Sequence, residues 1–179
     1  LYHWRAWSGS TALTIDAKPW AQQAAARAQQ VHLDRTTRGT VQPSSIPGLN
    51  EVHPAVDNPP VVSVIIPTIG TRNQKGSARF VDGAVRSLRD AETEAPLEII
   101  AVTTGVIDPI PGIDQQVVYR PDGAFNFAEA INLGREHATG EYLLLLNDDT
   151  TADSPKPVTR LLELAQLPGV GAVGAKLTY

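Results

Sequence analysis

The chain has 179 residues, enough for one domain with a proper core or for a small domain with an appendage. Its apolar fraction of 42%, its charged fraction of 19% and its net charge of −4 are those of an ordinary globular protein and argue against a nucleic-acid groove. The absence of cysteine excludes disulfides and thiolate metal sites, and it fits a reducing compartment such as the cytoplasm.

Two further absences bear on the class of protein. No apolar stretch approaches the length of a membrane span, and the first residues lack the pattern of a signal peptide. Methionine is missing even at position 1, so we expect the chain to be a segment of a longer protein.

The first 60 residues are predicted to form a connector and a linker. Residues 1–14 hold a short aromatic cluster that must pack against something else. Residues 16–38 are rich in alanine and glutamine and predict a helix with a thin apolar stripe, which Gly39 can end. Residues 39–60 are rich in Pro, Ser, Asn and Gly and show little periodicity, so we interpret them as a linker.

From residue 61 onward, continuous apolar runs that indicate strands alternate with the three-to-four-residue spacing of helices. The predicted strands are Val61–Thr68, Leu97–Val102, Gln116–Tyr119, Tyr142–Leu146 and Val170–Leu177. The predicted helices are Ala78–Ala91, one that Asn126 caps and Gly140 ends, and Pro155–Leu167. This order predicts an α/β fold with a mostly parallel, Rossmann-like sheet that is flanked by helices.

The strand at Tyr142–Leu146, which we expect in the middle of the sheet, is followed by two adjacent carboxylates, Asp148 and Asp149. Burying the apolar run is favourable and burying unpaired carboxylates is costly, so the aspartates should lie just beyond the carboxyl end of the strand. Open α/β sheets bind ligands at that edge, and Mg²⁺ or Mn²⁺ would relieve the repulsion between the two carboxylates. The alternative is an Asx turn, for which Asp-Asp-Thr is ordinary chemistry.

No glycine-rich phosphate loop accompanies these carboxylates. The first strand is followed neither by a dinucleotide-binding fingerprint nor by a Walker loop. A nucleoside phosphate would therefore have to be held mainly by a metal ion, which favours the metal interpretation of Asp148 and Asp149.

An ordered set of four stretches resembles family 2 glycosyltransferases, especially the rhamnosyltransferase-like enzymes of O-antigen and cell-wall polysaccharide synthesis. The stretches are Val62–Thr68, Leu97–Val102, Phe125–Asn132 and Gly140–Thr150. The first 60 residues are similar to the connector that precedes such domains in long, often tandem, glycosyltransferases. The resemblance implies a connector over residues 1–60 and a nucleotide-sugar-binding domain over residues 61–179, the nucleotide-binding half of a GT-A fold, incomplete at its C-terminus.

The resemblance also assigns roles to the two aspartates and to the end of the first strand. Residues 147–149 stand at the position of the acidic DXD motif of the family. Asp149 would be the main metal ligand, and Asp148 would contact the ribose or share the metal. Pro67 and Thr68 match the loop that lines the base and the ribose.

Three more positions are implied near the donor. Asn132 and Asn126 fall in a stretch close to the nucleotide or the donor sugar, although capping a helix is the stronger interpretation of Asn126. Thr103 stands where the family usually has an aspartate that contacts the base. A threonine hydroxyl can still bond a base, but it supplies no charge.

The implied activity is an inverting, metal-assisted transfer of a hexosyl or rhamnosyl group from a UDP- or TDP-linked donor to a growing glycan, with Mg²⁺ or Mn²⁺ as cofactor. The catalytic base is expected beyond Tyr179, so the segment by itself should bind the donor and remain inactive. The implied setting is the cytoplasm, at the inner face of the membrane, beside further glycosyltransferase domains and without a nucleic-acid partner.

Two other functions fit parts of the sequence. A nucleotidyltransferase uses a similar sheet but usually carries a glycine-rich, basic loop after the first strand, and residues 68–77 do not have that arrangement. A degenerate glycosyltransferase-like domain that scaffolds an active neighbour is favoured by Thr103 in place of the aspartate. Metal-dependent nucleotide binding separates this scaffold from a working donor site.

Overall fold

The computed structural model describes residue 3, residues 19–73 and residues 76–178. The chain divides into two compact units, of which the first is Leu1–Asp57 with Gln166–Pro168 and the second is Asn58–Ala165 with Gly169–Tyr179. The predicted aromatic cluster, apart from His3, and the predicted helix start at residues 16–18 lie outside the described residues. No helix among the described residues is long and apolar enough to cross a membrane.

The first unit contains a helix and a hairpin, which corrects the linker interpretation of residues 39–60. Its elements are α1 (Pro19–Thr36), β1 (Gly39–Pro43) and β2 (Asn50–Pro54), and the two strands pair antiparallel. Gln30 of α1 holds the hairpin, because its side-chain oxygen accepts the Val41 amide at 2.7 Å and its nitrogen donates to the Gly39 carbonyl at 3.1 Å. The hairpin could not be predicted from apolar periodicity, because polar contacts from Gln30 connect its first strand to the helix.

The second unit is a parallel sheet flanked by helices, as predicted. Its strands are β3 (Val62–Thr68), β4 (Leu97–Thr104), β5 (Gln115–Tyr119) and β6 (Tyr142–Leu145). Its helices are α2 (Phe80–Ala91), α3 (Phe127–Glu136) and α4 (Pro157–Ala165). The order of the sheet is β5-β4-β3-β6, and each neighbouring pair is parallel.

β3 lies inside the sheet, and every one of its residues is buried. Its aliphatic side chains suit burial on both faces, which is why the sequence already marked it as a central strand. On the face toward α3, Ile65 packs with Ile100, Val102, Tyr119 and Ala130 in one buried cluster.

β6 is an edge strand, which corrects its predicted place in the middle of the sheet. Among the described residues it pairs with β3 alone, and Leu143 and Leu145 are 43% and 52% exposed. The strand predicted at residues 170–177 is also absent, since these residues have no regular structure. An apolar run predicts a strand, but the place of that strand depends on pairing partners that its composition does not specify.

α3 approaches the sheet closely at Gly134. A Cβ atom at this position would lie 2.5 Å from Cγ2 of Ile65 and 2.9 Å from Cγ2 of Val102. Both neighbours belong to the buried cluster, Ile65 with 0% and Val102 with 1% of its surface exposed. Glycine therefore sets the spacing between this helix and the sheet.

Gly134→Ala is expected to lower the free energy of unfolding of this unit by up to about 2 kcal/mol. Overpacking costs about 1–3 kcal/mol, and the gain in helix propensity offsets about 1 kcal/mol of that cost. Gly83→Ala in α2 is the matched control, because a Cβ there meets nothing within 4 Å. Urea titrations followed by circular dichroism should show opposite shifts of the midpoint for the two variants, and a stabilising Gly134→Ala would contradict the close packing.

α2 and α4 are joined through one buried carboxylate, that of Glu92, which is 7% exposed. Its Oε1 accepts the amides of Glu94 and Ala95 at 3.0 and 3.1 Å and the Thr159 hydroxyl at 2.9 Å. Its Oε2 accepts the amides of Val158 and Thr159, both at 2.9 Å. Burial alone would raise the pKa of Glu92, but the hydrogen bonds outweigh it and hold the pKa below its ordinary value. The ionised side chain thus caps α4 from the end of α2.

Candidate functional site

A pocket of about 360 Å³ opens where β3 and β6 end. These strands are parallel neighbours, so their carboxyl ends meet at the same edge of the sheet. The lining comes from the end of β3 and the loop after it, the start of α3, and the turn after β6. The lining residues are Pro67, Thr68, Ile69, Thr71, Phe125, Phe127, Asn147, Asp148 and Asp149. The volume lies within the usual range of small-molecule sites.

A side-chain hydrogen bond connects the two strand ends. The Thr68 hydroxyl donates to Oδ2 of Asp148 at 2.5 Å and accepts the Gly70 amide at 3.0 Å. Because Thr68 is only 4% exposed, its hydroxyl is committed to these two partners. Asp148 is therefore held against β3, and within the described residues its Oδ1 has no hydrogen-bond partner.

The residues after β6 form a tight turn. The Thr150 amide donates to the Asn147 carbonyl at 3.2 Å, so the backbone forms a β-turn, without the side-chain bond to a backbone amide that defines an Asx turn among the described residues. The same turn brings Asp148 and Asp149 to the pocket. The Asp149 side chain is exposed and makes no hydrogen bond or ion pair to another described residue. Turn and ligand site are thus compatible readings of the same residues.

The donor set suits a cation that is shared with a phosphate ligand. No group of three or more His, Asp or Glu among the described residues could hold a metal ion. Asp148 and Asp149 together offer only carboxylate oxygens. Mg²⁺ and Mn²⁺ prefer oxygen, and Mg²⁺ usually keeps several waters while binding through one or two carboxylates and substrate phosphates. The residues present fit that mode of binding.

Thr103 and Asn132 are not among the residues that line the pocket. Thr103 is fully buried, and its hydroxyl donates to the Gly105 carbonyl at 2.9 Å. Asn132 is exposed on α3. Their contacts to the base and to the donor sugar therefore stay predictions, whereas Pro67, Thr68, Asp148 and Asp149 are brought together.

Sequence reasoning gave no role to two aromatic residues of the pocket wall, Phe125 and Phe127. Each side chain is 47% exposed. Phe125 contacts Tyr119 edge to face, with the ring centroids 6.0 Å apart and the planes at 77°. The available signal was a pair of phenylalanines on either side of a helix cap, in a chain whose helices start near the ligand edge of a parallel sheet.

Asn126 caps α3, as predicted. Its side-chain oxygen accepts the amides of Ala128 and Glu129 at 3.0 and 3.3 Å, and its nitrogen donates to Oε1 of Glu129 at 3.0 Å. The Tyr119 hydroxyl donates to the other oxygen of Glu129 at 2.5 Å, and this bond raises the pKa of the phenol. The start of α3 is therefore fixed to the end of β5.

His137 and Glu141 lie at the opposite edge of the sheet. His137 is the C-terminal cap of α3, and the Glu141 amide donates to the Val61 carbonyl at the start of β3. That edge is closed by Glu98, which accepts the hydroxyl of Ser63 at 2.5 Å and the amide of Thr139 at 2.8 Å. Neither His137 nor Glu141 can reach a ligand at the pocket, so no catalytic base is assigned to them.

Comparison with known proteins gives a family match over most of the chain. The model of the family described as "Glycosyl transferase family 2" matches residues 63–179. This range runs from the second residue of β3 to the last residue and includes every residue that lines the pocket.

Two curated relatives match the whole chain. It is 34% identical to "Uncharacterized protein y4gI" of Sinorhizobium fredii (strain NBRC 101917 / NGR234), covering 100% of this chain and 20% of the relative. It is 31% identical to "O-antigen biosynthesis protein RfbC" of Myxococcus xanthus, covering 100% of this chain and 14% of the relative. The chain thus spans a fifth or less of the length of these relatives.

A solved structure is also similar, "Mannosyltransferase PcManGT from Pyrobaculum calidifontis in complex with GDP-Man and Mn2+". The match has a TM-score of 0.47 and 16% sequence identity, and it covers 86% of this chain and 44% of that chain.

Proposed function

This chain belongs to glycosyl transferase family 2, and on that premise we propose that its carboxyl-edge pocket binds the nucleotide-diphosphate-sugar donor of a glycosyltransferase. The hydrogen bond between Thr68 and Asp148 supports the proposal most directly. It brings the ends of β3 and β6 together at the edge where open α/β sheets bind ligands. The nearby carboxylate of Asp149 adds a second oxygen donor at the same pocket.

Each residue of the acidic part of the pocket has a proposed task. Asp149, exposed and unpaired among the described residues, is the main ligand of Mg²⁺ or Mn²⁺. Asp148 shares the metal or bonds the ribose through Oδ1, since Thr68 occupies Oδ2. Pro67 and Thr68 line the pocket, and the Thr68 hydroxyl positions Asp148. When bound, the metal neutralises charge on the diphosphate that leaves.

The parent protein is proposed to transfer the sugar to a growing glycan with inversion at the anomeric carbon. The family supports glycosyl transfer, and the similarity to an O-antigen biosynthesis protein supports a polysaccharide acceptor. Inversion needs a base that deprotonates the acceptor hydroxyl, and we assign that task to none of the described residues. UDP- and TDP-linked sugars are the proposed donors, in a cytoplasmic protein at the inner face of the membrane.

A scaffold without activity is the second candidate. Thr103, near the end of β4, stands where the family usually carries an aspartate that contacts the base, and its hydroxyl is already bonded inside the protein. A domain that lost its base contact in this way would keep the fold without holding a donor. Nucleotide binding distinguishes the two candidates.

We expect metal-dependent binding of a nucleoside diphosphate to the wild-type chain. Calorimetric titrations with UDP, TDP and GDP, each with Mn²⁺ and with EDTA, would measure it. At least one nucleotide should give a heat of binding with Mn²⁺. This heat should disappear with EDTA, because two carboxylates without a metal repel phosphate. The absence of binding by all three nucleotides in both states would contradict the proposed donor site and favour the scaffold.

A further inference from the structure

The proposed function leaves part of the pocket without a task. Asp148 and Asp149 account for a metal and a diphosphate, but Phe125 and Phe127 line the same pocket with apolar rings. Both rings are 47% exposed, although phenylalanine gains free energy from burial. Two large exposed apolar rings in one ligand pocket indicate a surface that a ligand covers.

The start of α3 offers the pocket aromatic surface rather than phosphate-binding amides. The first amides of a helix often bind an anion. Here Asn126 already takes the amides of Ala128 and Glu129 with its side chain and that of Ala130 with its carbonyl. The phosphate groups must therefore bind elsewhere in the pocket, and the rings remain as the recognition surface of this wall.

Contacts within the protein support the Phe125 side of this surface before any ligand binds. Tyr119 contacts Phe125 edge to face and is itself anchored by its hydrogen bond to Glu129. Asn126, between the two phenylalanines, is held by its hydrogen bonds to the first turn of α3. A surface that needs no ordering loses little conformational entropy when a flat ligand stacks on it.

We propose that Phe125 and Phe127 form an aromatic wall that receives the nucleobase of the donor, an inference that rests on the proposed function. A nucleobase is flat and uncharged and has a π face that stacks on aromatic side chains. The charged diphosphate goes to the acidic side of the pocket with its metal. The face of a sugar ring can also stack on an aromatic ring, but its hydroxyls need polar partners beside that ring. The Asn126 side chain, between the two phenylalanines, is already bonded to Ala128 and Glu129.

The test compares a ligand that has a base with one that has none. Phe125→Ala and Phe127→Ala are titrated with the best-binding nucleoside diphosphate and with inorganic pyrophosphate, both in the presence of Mn²⁺. Phe125→Leu and Phe127→Leu keep much of the apolar volume but remove the ring. Phe80→Ala is the matched control, because Phe80 is 36% exposed and lies outside the pocket.

The alanine and leucine variants are expected to bind the nucleotide about 5- to 150-fold more weakly, the range for loss of one base–aromatic stack. They should bind pyrophosphate as the wild type does, and Phe80→Ala should bind both ligands normally. Unchanged nucleotide binding would overturn the inference, as would equal weakening for nucleotide and pyrophosphate. The same variants are also titrated with a nucleotide-sugar, and weakening seen only with that ligand would assign the wall to the sugar and would overturn the inference too.

Failure of this inference can be distinguished from failure of the proposed function. If Asp149→Ala abolishes binding of both ligands while the phenylalanine variants bind normally, the donor site stands and the aromatic wall fails. If the nucleotide binds without metal and the phenylalanine variants lose it, the wall stands and the metal assignment fails. If the wild type binds neither ligand, both proposals fail.

Discussion

Asp149→Ala is expected to weaken metal-dependent nucleotide binding by at least about 100-fold, more than the 10- to 100-fold typical for loss of a residue that only supports a metal ligand. The reason is that Asp149 is the main proposed ligand of the metal, and no group of three or more His, Asp or Glu among the described residues offers another ligand in its place. Its side chain is exposed, so the substitution should leave the fold intact. Calorimetry with Mn²⁺ and the nucleotide measures the effect.

Asp153→Ala is the control for this prediction. Asp153 is exposed and lies four residues further along the chain, outside the residues that line the pocket. The substitution removes the same charge, so any long-range electrostatic effect should be similar in both variants. Equal weakening by Asp149→Ala and Asp153→Ala would show that net charge matters and that Asp149 is not a ligand.

Glu92→Ala is expected to lower the free energy of unfolding of the sheet unit by about 3–5 kcal/mol, because several donors lose their acceptor and a buried unsatisfied donor costs about 1–3 kcal/mol. The substitution leaves the Thr159 hydroxyl and four backbone amides of α4 and the α2 end without their acceptor. Far-UV circular dichroism in urea follows this loss. Tryptophan fluorescence does not, because all three tryptophans precede residue 58 and belong to the other unit.

The contribution of Glu92 should also depend on pH. The pKa of Glu92 in the folded chain is below its ordinary value of 4.5, so the carboxylate stabilises the fold fully above that value. As the pH falls through the folded pKa, the contribution disappears. The stability difference between wild type and Glu92→Gln should therefore be largest near neutral pH and shrink in acid.

Glu136→Gln serves as the control for the pH series, because Glu136 is exposed on α3. Its substitution should change stability by less than about 0.5 kcal/mol at every pH. A difference between wild type and Glu92→Gln that stays constant down to acid pH would show that the side chain does not act as a carboxylate.

The parallel sheet could be predicted because the local sequence of each central strand indicates that the strand is buried. β3 and β4 are continuous β-branched and aliphatic runs, which suit burial on both faces of a sheet. The cap of α3 was equally local, since Asn126 and Glu129 are three residues apart and their contact needs no distant partner. The position of Asp148 and Asp149 just beyond the strand followed from the cost of burying unpaired carboxylates.

The remaining features depend on partners that are distant in the sequence. The Thr68–Asp148 bond joins residues 80 positions apart, and Glu92 reaches amides 66 and 67 positions away. The hairpin of the first unit is tied to α1 by Gln30, a residue whose type says nothing about its partner. β6 illustrates the same limit, because its apolar run predicts a strand but not its place at the edge.

We propose that a metal–nucleotide complex binds at the carboxyl ends of β3 and β6. Paramagnetic broadening of amide signals by Mn²⁺ tests it directly, with the nucleotide present and Mg²⁺ as the diamagnetic reference. The amino and carboxyl ends of β3 are about 20 Å apart, from the rise per residue along the strand. At substoichiometric Mn²⁺, the amide signals of residues 68–70 and 147–150 are expected to broaden first and those of residues 139–141 last. Broadening that begins at residues 139–141, or at another acidic surface, would contradict it.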